Sequence, residues 1–280
     1  MLTLAPLQAF AAEGSCPTHS PALAGAPPNA VYQQFPADAP RQTAWLITYA
    51  HEPQQGLFIT SAHFSRTPDD PWTKVLGRSG LAEMFVPYAG GQPRFLDISA
   101  VSLDVLAAGP EDLGACGRLQ DPSVIREVRD RGMVWKDHRR GRRGQELVLW
   151  GTLAAGNYSY LVEYVFRDDG SIAFRAAATG ENLPGQAAEV HVHNAMWRVD
   201  IDLNGGSNNS VQVMRHVPSK SCLTADQLLE PFNGGKEGWL DWNAYEFSTL
   251  LVTDDSRRNR RGNAPGYTFT PHSIGQFIFL

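Results

Sequence analysis

Short apolar runs recur along the chain from residue 43 onward, and each has the length of a β-strand. Gly, Pro, Asn and Asp separate ten of them: TAWLITYA, GLFITSAHF, AEMFVPYA, RFLDISAVSL, ELVLWGTL, SYLVEYVF, SIAFRAAA, EVHVHNAMWRVDIDL, NSVQVMRHV and YTFTPH. Repeated short runs with turn residues between them are typical of antiparallel sheets, whereas a helical period is hinted at only in residues 224–229. The pattern predicts an all-β protein, a large antiparallel β-sandwich.

The clearest single element is the stretch YLVEYVFRDDGSIAFRAA. Two alternating runs meet there at Asp169 and Gly170, and glycine readily adopts the positive φ that a tight hairpin turn needs. We therefore predict a β-hairpin centred on this dipeptide.

The first 42 residues differ in composition from the rest of the chain. Pro, Ala, Ser and Gly dominate residues 15–40, and the opening MLTLAPLQAFAA is apolar with an Ala-Phe-Ala ending that would suit signal cleavage. We predict a poorly ordered leader over residues 1–42, with the remnant of an export signal, and a β-sandwich domain over residues 43–280. A secreted or periplasmic location follows as an expectation.

Composition narrows the class of protein further. The 280 residues are 42% hydrophobic and 19% charged, which is typical of a packed globular chain, and the net charge of −5 argues against a nucleic-acid partner. A basic segment, residues 126–143, is interleaved with acidic residues and is interpreted as a solvated loop or an edge strand. The three cysteines allow one disulfide at most, and no run is long enough to span a membrane.

Two histidines in EVHVHNAMWRVDIDL are the first candidates for chemistry. Strand alternation places His191 and His193 on one face with Ala195 and Trp197, which predicts that both imidazoles are on a buried face. Such a pair either binds one metal ion or consists of core histidines whose ring nitrogens are hydrogen-bonded. Imidazole sites favour Cu(II), and a phenol close to Cu(II), such as Tyr158 in GNYSY, can be oxidised to a quinone.

The order of several motifs supports a more specific interpretation. GLFITSAHFSRTP, LAEMFVPYAGGQPRFLD, the long stretch from GMVWKDHRR through GNYSY to RAAATG, and HVHNAMWRVDIDLNGGSNNS follow one another along the chain. In this order they resemble the catalytic domain of the copper-containing (topaquinone) amine oxidases, and RGNAPGYTFTP is similar to a later Gly-Tyr segment of that family. The resemblance spans residues 56–271.

The resemblance assigns roles to individual residues. It implies that Tyr158, which follows Asn157, is the precursor of topaquinone, and that His191 and His193 are copper ligands. It also implies that Asp97 in RFLD is the catalytic base and that Phe95, two residues earlier, gates access to the quinone. The cofactors implied are therefore copper and a topaquinone derived from Tyr158.

The family's reaction is the oxidative deamination of primary amines by O2, which yields an aldehyde, ammonia and hydrogen peroxide. In that reaction Asp97 would remove a proton from the carbon next to the amine nitrogen. An apolar pocket would raise the pKa of Asp97 and so suit it to act as a base near neutral pH. Homodimers are also implied by the family.

The sequence departs from the family pattern at several positions. The third copper histidine has no counterpart at its usual place, and His272 and His216 are the candidates to replace it; Ala154 and Ser159 stand where the family usually has Thr and an acidic residue. Three hypotheses follow: a quinone-dependent amine oxidase, a non-catalytic amine oxidase-like binding protein, and a mononuclear copper or zinc enzyme with an unmodified Tyr158. The identity of the amine is left open.

Overall fold

The computed structural model describes residues 16–35, 42–67, 70–87, 94–99, 103–180, 191–218, 225–241, 248–259 and 261–270. It divides into two compact units. The first unit is Met1–Trp72 with Arg78–Val199, and the second is Thr73–Gly77 with Asp200–Leu280. Apart from three short 3₁₀ turns, the regular elements of the described residues are all strands.

Seventeen strands are formed by the described residues. They are β1 (Ala30–Phe35), β2 (Thr43–Glu52), β3 (Gly56–Ser65), β4 (Thr73–Leu76), β5 (Ser79–Pro87), β6 (Arg94–Leu96), β7 (Asp104–Val105), β8 (Gly117–Asp121), β9 (Val124–Lys136), β10 (Gly141–Ala155), β11 (Tyr158–Arg167), β12 (Ile172–Gly180), β13 (Asn194–Arg198), β14 (Asn209–Pro218), β15 (Ala225–Pro231), β16 (Thr249–Asp254) and β17 (Gly266–Phe269). The strands within each sheet are antiparallel, and the all-β prediction is confirmed.

Two sheets make up the first unit. One has the order β1-β2-β3-β5-β13, with β6 added to β5, and the other has the order β12-β11-β10-β9-β8, with β7 added to β10. The inner faces of the two sheets pack on each other, as the fully buried Trp45 of β2 shows. Its ring lies 5.2 Å from that of Phe166 on β11, and its indole N–H donates to the Arg167 carbonyl (2.9 Å). This packing forms the predicted sandwich.

Strand β11 supplies much of the sandwich core. Its even-numbered residues alternate inward, and Tyr160, Val162, Tyr164 and Phe166 are all buried. Complete burial of each large apolar side chain contributes on the order of 1.5–3 kcal/mol, so this one strand anchors its sheet. The predicted hairpin from β11 to β12 is confirmed, and Gly170 in its turn has φ +87°.

The basic segment is mainly a strand, one of the two structures that the sequence predicted. It forms β9 and the start of β10. Among the described residues β8 pairs with β9 only at residues 124–127, and from residue 128 onward β9 pairs with β10 alone and is largely exposed, as an edge strand is. Its arginines face acidic partners on neighbouring positions: Arg129 contacts Glu127 (2.7 Å) and Glu163 (3.3 Å). Opposite charges therefore pair on the outer face of the sheet. The order of residues in the sequence does not show these pairs, because several join different strands.

The predicted leader contains a strand. Residues of β1 alternate in burial, with Val31 and Phe35 buried against the sheet, and β1 pairs with β2 over its full length. A Pro- and Ala-rich composition concealed this six-residue alternating pattern. Cys16 forms a disulfide with Cys116, 100 residues further along the chain. Residues 1–15 lie outside the described ranges, so the export signal stays a prediction.

The second unit has a four-stranded sheet of its own, with the order β15-β14-β16-β17. Strand β15 occupies residues 225–231, where the sequence hinted at a helical period. Pairing with β14, for example Leu229 opposite Met214, outweighs a helical tendency of only six residues, which is too short to nucleate a helix. None of the helices among the described residues has the length and apolar character that a membrane span requires.

Candidate active site

Tyr158 is placed by a two-residue turn. Ala155, the last residue of β10, pairs with Tyr158, the first residue of β11, and Gly156 and Asn157 form the connection. Gly156 has φ +64°, which is strained for residues with a side chain, and a positive φ at the first turn position suits the right-handed twist of a hairpin. The turn therefore fixes Tyr158 on the same inner face as Tyr160.

Strand β12 ends in glycine directly beside Tyr158. Gly180 pairs with Tyr158, has φ +138°, and a Cβ built on it would lie 2.2 Å from the carbonyl oxygen of Asn157. A side chain cannot fit there without displacing the turn. The carbonyl of Asn157 thus packs against the glycine, which helps to hold the turn that presents Tyr158.

The two histidines converge on the Tyr158 ring. The Tyr158 hydroxyl lies 3.0 Å from Nε2 of His191, and the His193 ring centroid lies 4.8 Å from that of Tyr158. The two imidazole centroids are 5.0 Å apart. Val192 between them is 57% exposed, whereas both histidines are half-buried, so the alternation expected from the sequence holds at these positions.

The predicted long strand around the histidines is shorter than expected. Only residues 194–198 are in strand β13, and both histidines precede it. Of the side chains expected to share their buried face, Ala195 is exposed and Trp197 is half-buried. The imidazoles are therefore part of a connection that ends at the sheet, not of a core strand, which leaves their rings accessible from one side.

Tyr160 links the histidines to Asp97. Its buried hydroxyl donates to Oδ2 of Asp97 and lies 3.1 Å from Nδ1 of His193. A phenol has one proton to donate, so when Asp97 is ionised the second contact requires His193 to donate from Nδ1. Nε2 of His193 then carries the lone pair, and this is the ring nitrogen that could bind a metal ion.

Burial sets the protonation of these groups. Asp97 is 6% exposed, and burial raises the pKa of its carboxyl above the ordinary 3.8. The Tyr160 hydrogen bond and His191 oppose this increase in pKa, whereas the nearby Glu83 adds to it. Burial, together with the neighbouring His191, lowers the pKa of His193 to about 4, so His193 is neutral at physiological pH.

Strand β5 pairs with the strand that precedes Asp97 and with the strand that follows His193. Phe85, close to its C-terminal end, pairs with Leu96 of β6 and also with Asn194 of β13. Asp97 follows Leu96 and His193 precedes Asn194, so a single row of backbone pairs fixes both residues. The side-chain amide of Asn194 adds a hydrogen bond to the Phe85 carbonyl (3.2 Å).

The structure brings together four of the residues that the sequence singled out, namely Asp97, Tyr158, His191 and His193. The backbone of Phe95 lies in β6 opposite Val86, but its side chain is outside the described part of the structure. The side chain of His216 and all of His272 are outside it as well. Among the described residues, no group of three or more His, Cys, Asp or Glu side chains is placed to hold a metal ion.

Sequence reasoning missed Tyr160. The signal was present, because residues two apart on a strand share a face, so a Tyr158 that faces the two histidines has Tyr160 on the same side. What the sequence did not show is that the Tyr160 hydroxyl lies between Asp97 and His193.

Comparison with known proteins identifies the family of the chain. Residues 127–279 match the family model described as "Copper amine oxidase, enzyme domain". Primary amine oxidase 2 of Arabidopsis thaliana is 22% identical over 279 residues, covering 81% of this chain and 41% of its own length. Copper amine oxidase 1 of Aspergillus niger is 27% identical, covering 81% of this chain and 40% of its own.

Solved structures share the fold. The structure titled "Crystal structure of Pichia pastoris Lysyl Oxidase PPLO" matches with a TM-score of 0.52 and 15% identity, covering 94% of this chain and 41% of that one. A second structure, titled "PPLO at 1.23 Angstroms", matches with a TM-score of 0.60, covering 96% of this chain and 42% of that one. The chain thus spans about two fifths of the length of the relatives it matches. With the family model matched over more than half of its residues, this chain belongs to the copper amine oxidase family.

Proposed function

We propose that the protein is a copper-dependent primary-amine oxidase in which Tyr158 is the precursor of the quinone cofactor. The observation that carries the proposal is the approach of the Tyr158 hydroxyl to within 3.0 Å of His191 Nε2, with the His193 ring against the same phenol. A phenol that only packed in the core would not need to meet two imidazoles.

The donor set fits copper. His191 and His193 are the residues that would hold the ion, because the imidazole nitrogens favour Cu(II) and His193 is neutral above a pKa of about 4. Bound copper would supply the redox chemistry with O2 that converts the Tyr158 phenol into topaquinone, which serves as the electron acceptor for amine oxidation. A third protein ligand is expected from outside the described residues, where His272 and the His216 side chain both lie.

Asp97 is proposed as the base that takes a proton from the carbon next to the amine nitrogen. A carboxylate in water is a weak base, but burial raises the pKa of Asp97 and therefore its affinity for that proton. The hydroxyl of Tyr160 holds the carboxylate at a fixed position on the inner face, on the same side as Tyr158. This contact supports the proposal, because the Tyr160 hydroxyl lies between Asp97 and His193 and the Tyr160 ring stacks on that of Tyr158.

The reaction balances as a two-electron oxidation. A primary amine, O2 and water give an aldehyde, ammonia and hydrogen peroxide: the C–H bond beside the nitrogen is broken, its electron pair reduces O2, and water supplies the aldehyde oxygen. The substrate class is a small-molecule primary amine. A homodimer and a secreted or periplasmic location are further proposals, and the Cys16–Cys116 disulfide supports the location because such bonds persist in oxidising compartments.

The test starts from copper-free protein exposed to Cu(II) in air. We expect one copper per chain, a visible quinone absorption and one phenylhydrazine adduct that mass spectrometry maps to the peptide containing Tyr158. Tyr158→Phe should bind copper without forming the adduct. Tyr164→Phe, which alters another inner-facing tyrosine on the same strand, is the matched control and should still form it.

One observation favours a second candidate, the non-catalytic amine oxidase-like binding protein. Within the described residues the metal donors number two histidines and not three. The same experiment separates the candidates: failure to retain copper after dialysis would favour the binding protein, and stoichiometric copper or zinc with an unaltered Tyr158 mass would favour a mononuclear metal enzyme.

A further inference from the structure

Glu83 makes an unusual set of contacts beside the proposed base. It lies in the middle of β5, and its Oε1 accepts hydrogen bonds from the Ile98 amide (2.8 Å) and the Met84 amide (2.9 Å). Its Oε2 accepts a hydrogen bond from the Ser99 hydroxyl (2.6 Å). Two of the three donors belong to the two residues that follow Asp97.

These contacts begin where the backbone ladder ends. Strand β6 stops at Leu96, and the Asp97 amide still donates to the Met84 carbonyl (3.0 Å). The next amide, that of Ile98, has the Glu83 carboxylate as its acceptor. At the residue after Asp97 the Glu83 carboxylate therefore replaces a strand carbonyl as the acceptor and satisfies the Ile98 amide of the turn.

A neutral acceptor could provide the same hydrogen bonds, so the charge of Glu83 calls for a second explanation. The groups that act on Asp97 are Tyr160, Glu83 and His191. Tyr160 and His191 favour the ionised form of Asp97, whereas Glu83, together with burial, favours the protonated form and raises the pKa of Asp97. A negative charge here strengthens the base.

We propose that Glu83 is the positioning residue of the base: its carboxylate fixes the backbone on the C-terminal side of Asp97 and keeps the Asp97 carboxylate on the Tyr160 hydroxyl, facing the amine. This inference rests on the proposed function of Asp97. It assigns Glu83 no contact with the substrate.

Two variants separate the hydrogen bonds of Glu83 from its charge. Glu83→Gln keeps an oxygen acceptor for the two amides, and Glu83→Ala removes the acceptor. In the copper-loaded enzyme we expect Glu83→Ala to lower kcat by about 10- to 100-fold at unchanged quinone content, because small displacements of a reacting group are costly. Glu83→Gln should keep most of kcat but move the acidic limb of kcat/KM to lower pH.

The control is Glu52→Gln, which removes an exposed carboxylate at the end of β2 and should leave both measurements unchanged. Full kcat and an unmoved acidic limb in both Glu83 variants would overturn the proposal. A loss of kcat in Glu83→Ala that is matched by an equal loss of quinone or of folded protein would also overturn it, because Glu83 would then be purely structural.

A measurement on copper-free protein distinguishes failure of this inference from failure of the proposed function. Nuclear magnetic resonance of the Asp97 carboxyl carbon and of the Ile98 amide needs neither copper nor quinone. We expect Glu83→Ala to speed hydrogen exchange at Ile98 and to shift the Asp97 titration to lower pH. If both stay as in the parent protein, Glu83 does not position Asp97, whether or not the quinone forms.

Discussion

At the scale of single residues, Tyr160 makes hydrogen-bond contacts with both Asp97 and His193. Its hydroxyl donates to Asp97 and contacts His193, so one phenol connects the proposed base with a proposed copper ligand. The hydrogen bond stabilises the ionised carboxylate and partly offsets the effect of burial on the pKa of Asp97. Tyr160 therefore limits how strong a base Asp97 becomes.

Tyr160→Phe tests this link. Without the hydroxyl, Asp97 loses the donor that lowers its pKa, so we expect the acidic limb of kcat/KM to move to higher pH. Stability should fall by about 1–3 kcal/mol, because a buried acceptor is left without its partner. Denaturant unfolding and pH–rate profiles provide the two measurements.

Tyr164→Phe is the matched control for Tyr160→Phe. Tyr164 lies on the same strand and its buried hydroxyl donates to the Leu57 carbonyl (2.6 Å), away from Asp97. Its loss should lower the free energy of unfolding but leave the acidic limb in place. Equal displacement of the limb in both variants would show that the shift comes from loosening of the core.

Asp97→Asn tests whether the rise of activity with pH depends on the Asp97 carboxylate. The pKa of Asp97 is raised above 3.8, so the carboxylate becomes ionised, and able to accept a proton, only as the pH rises through that higher value. Activity of the parent protein should therefore increase with pH along this limb. The variant should lose about 10²- to 10⁴-fold in kcat and show no limb attributable to residue 97.

Asp104→Asn is the comparison for Asp97→Asn, because Asp104 is an exposed carboxylate on β7. It should keep the rate and the pH profile of the parent. A copper-loaded Asp97→Asn that deaminates amines at the parental rate would contradict the assignment of the base.

At the scale of elements, the turn between β10 and β11 has the greatest effect on the site. Alternating runs and the Asp169–Gly170 dipeptide predicted the neighbouring hairpin correctly, and the spacing of His191 and His193 predicted their shared face. The convergence of this face with β11 could not be predicted, because it depends on how two sheets pack and not on any local pattern. The sequence left open whether the basic segment is a loop or an edge strand, because its many charges interrupt the apolar alternation by which a strand is recognised.

Gly156→Ala measures what the turn contributes. The Cβ has open space around it, so the cost comes only from holding alanine at φ +64°. We expect the free energy of unfolding to fall by about 1 kcal/mol, together with a lower yield of quinone as Tyr158 becomes less well placed.

Gly206→Ala is the control for Gly156→Ala. Gly206 also has open space around its Cβ position but does not have a positive φ. This substitution should leave both quinone yield and stability essentially unchanged. A similar loss in the two variants would mean that the conformation of Gly156 has no special importance.

At the scale of the whole molecule, the disulfide ties the beginning of the chain to the start of β8. Cys16 and Cys116 are 100 residues apart, so the bond closes a loop that includes β1 to β7. Counting cysteines indicated at most one bridge but not which pair, because cysteine spacing alone does not determine the pairing. The pattern of short apolar runs predicted the fold class, whereas the cysteine pairing becomes visible only in the three-dimensional structure.

Removing the disulfide tests its contribution. Closure of a loop of this length restricts the unfolded chain, so Cys16→Ser with Cys116→Ser should lower the free energy of unfolding by about 2–5 kcal/mol. Thermal melting with and without reductant checks this. Reductant should lower the Tm of the parent but not that of the double variant, and a parent Tm that is insensitive to complete reduction would contradict the prediction.

The double pairing of Phe85 has a consequence for how the site assembles. Side chains alternate along a strand, so a slip of β5 by a single position against either neighbour would turn a whole set of side chains to the opposite surface of the sheet. Asp97 or His193 would then face away from Tyr160. Molecules with a slipped register should therefore lack activity and correctly paired molecules should be fully active, with few of intermediate activity.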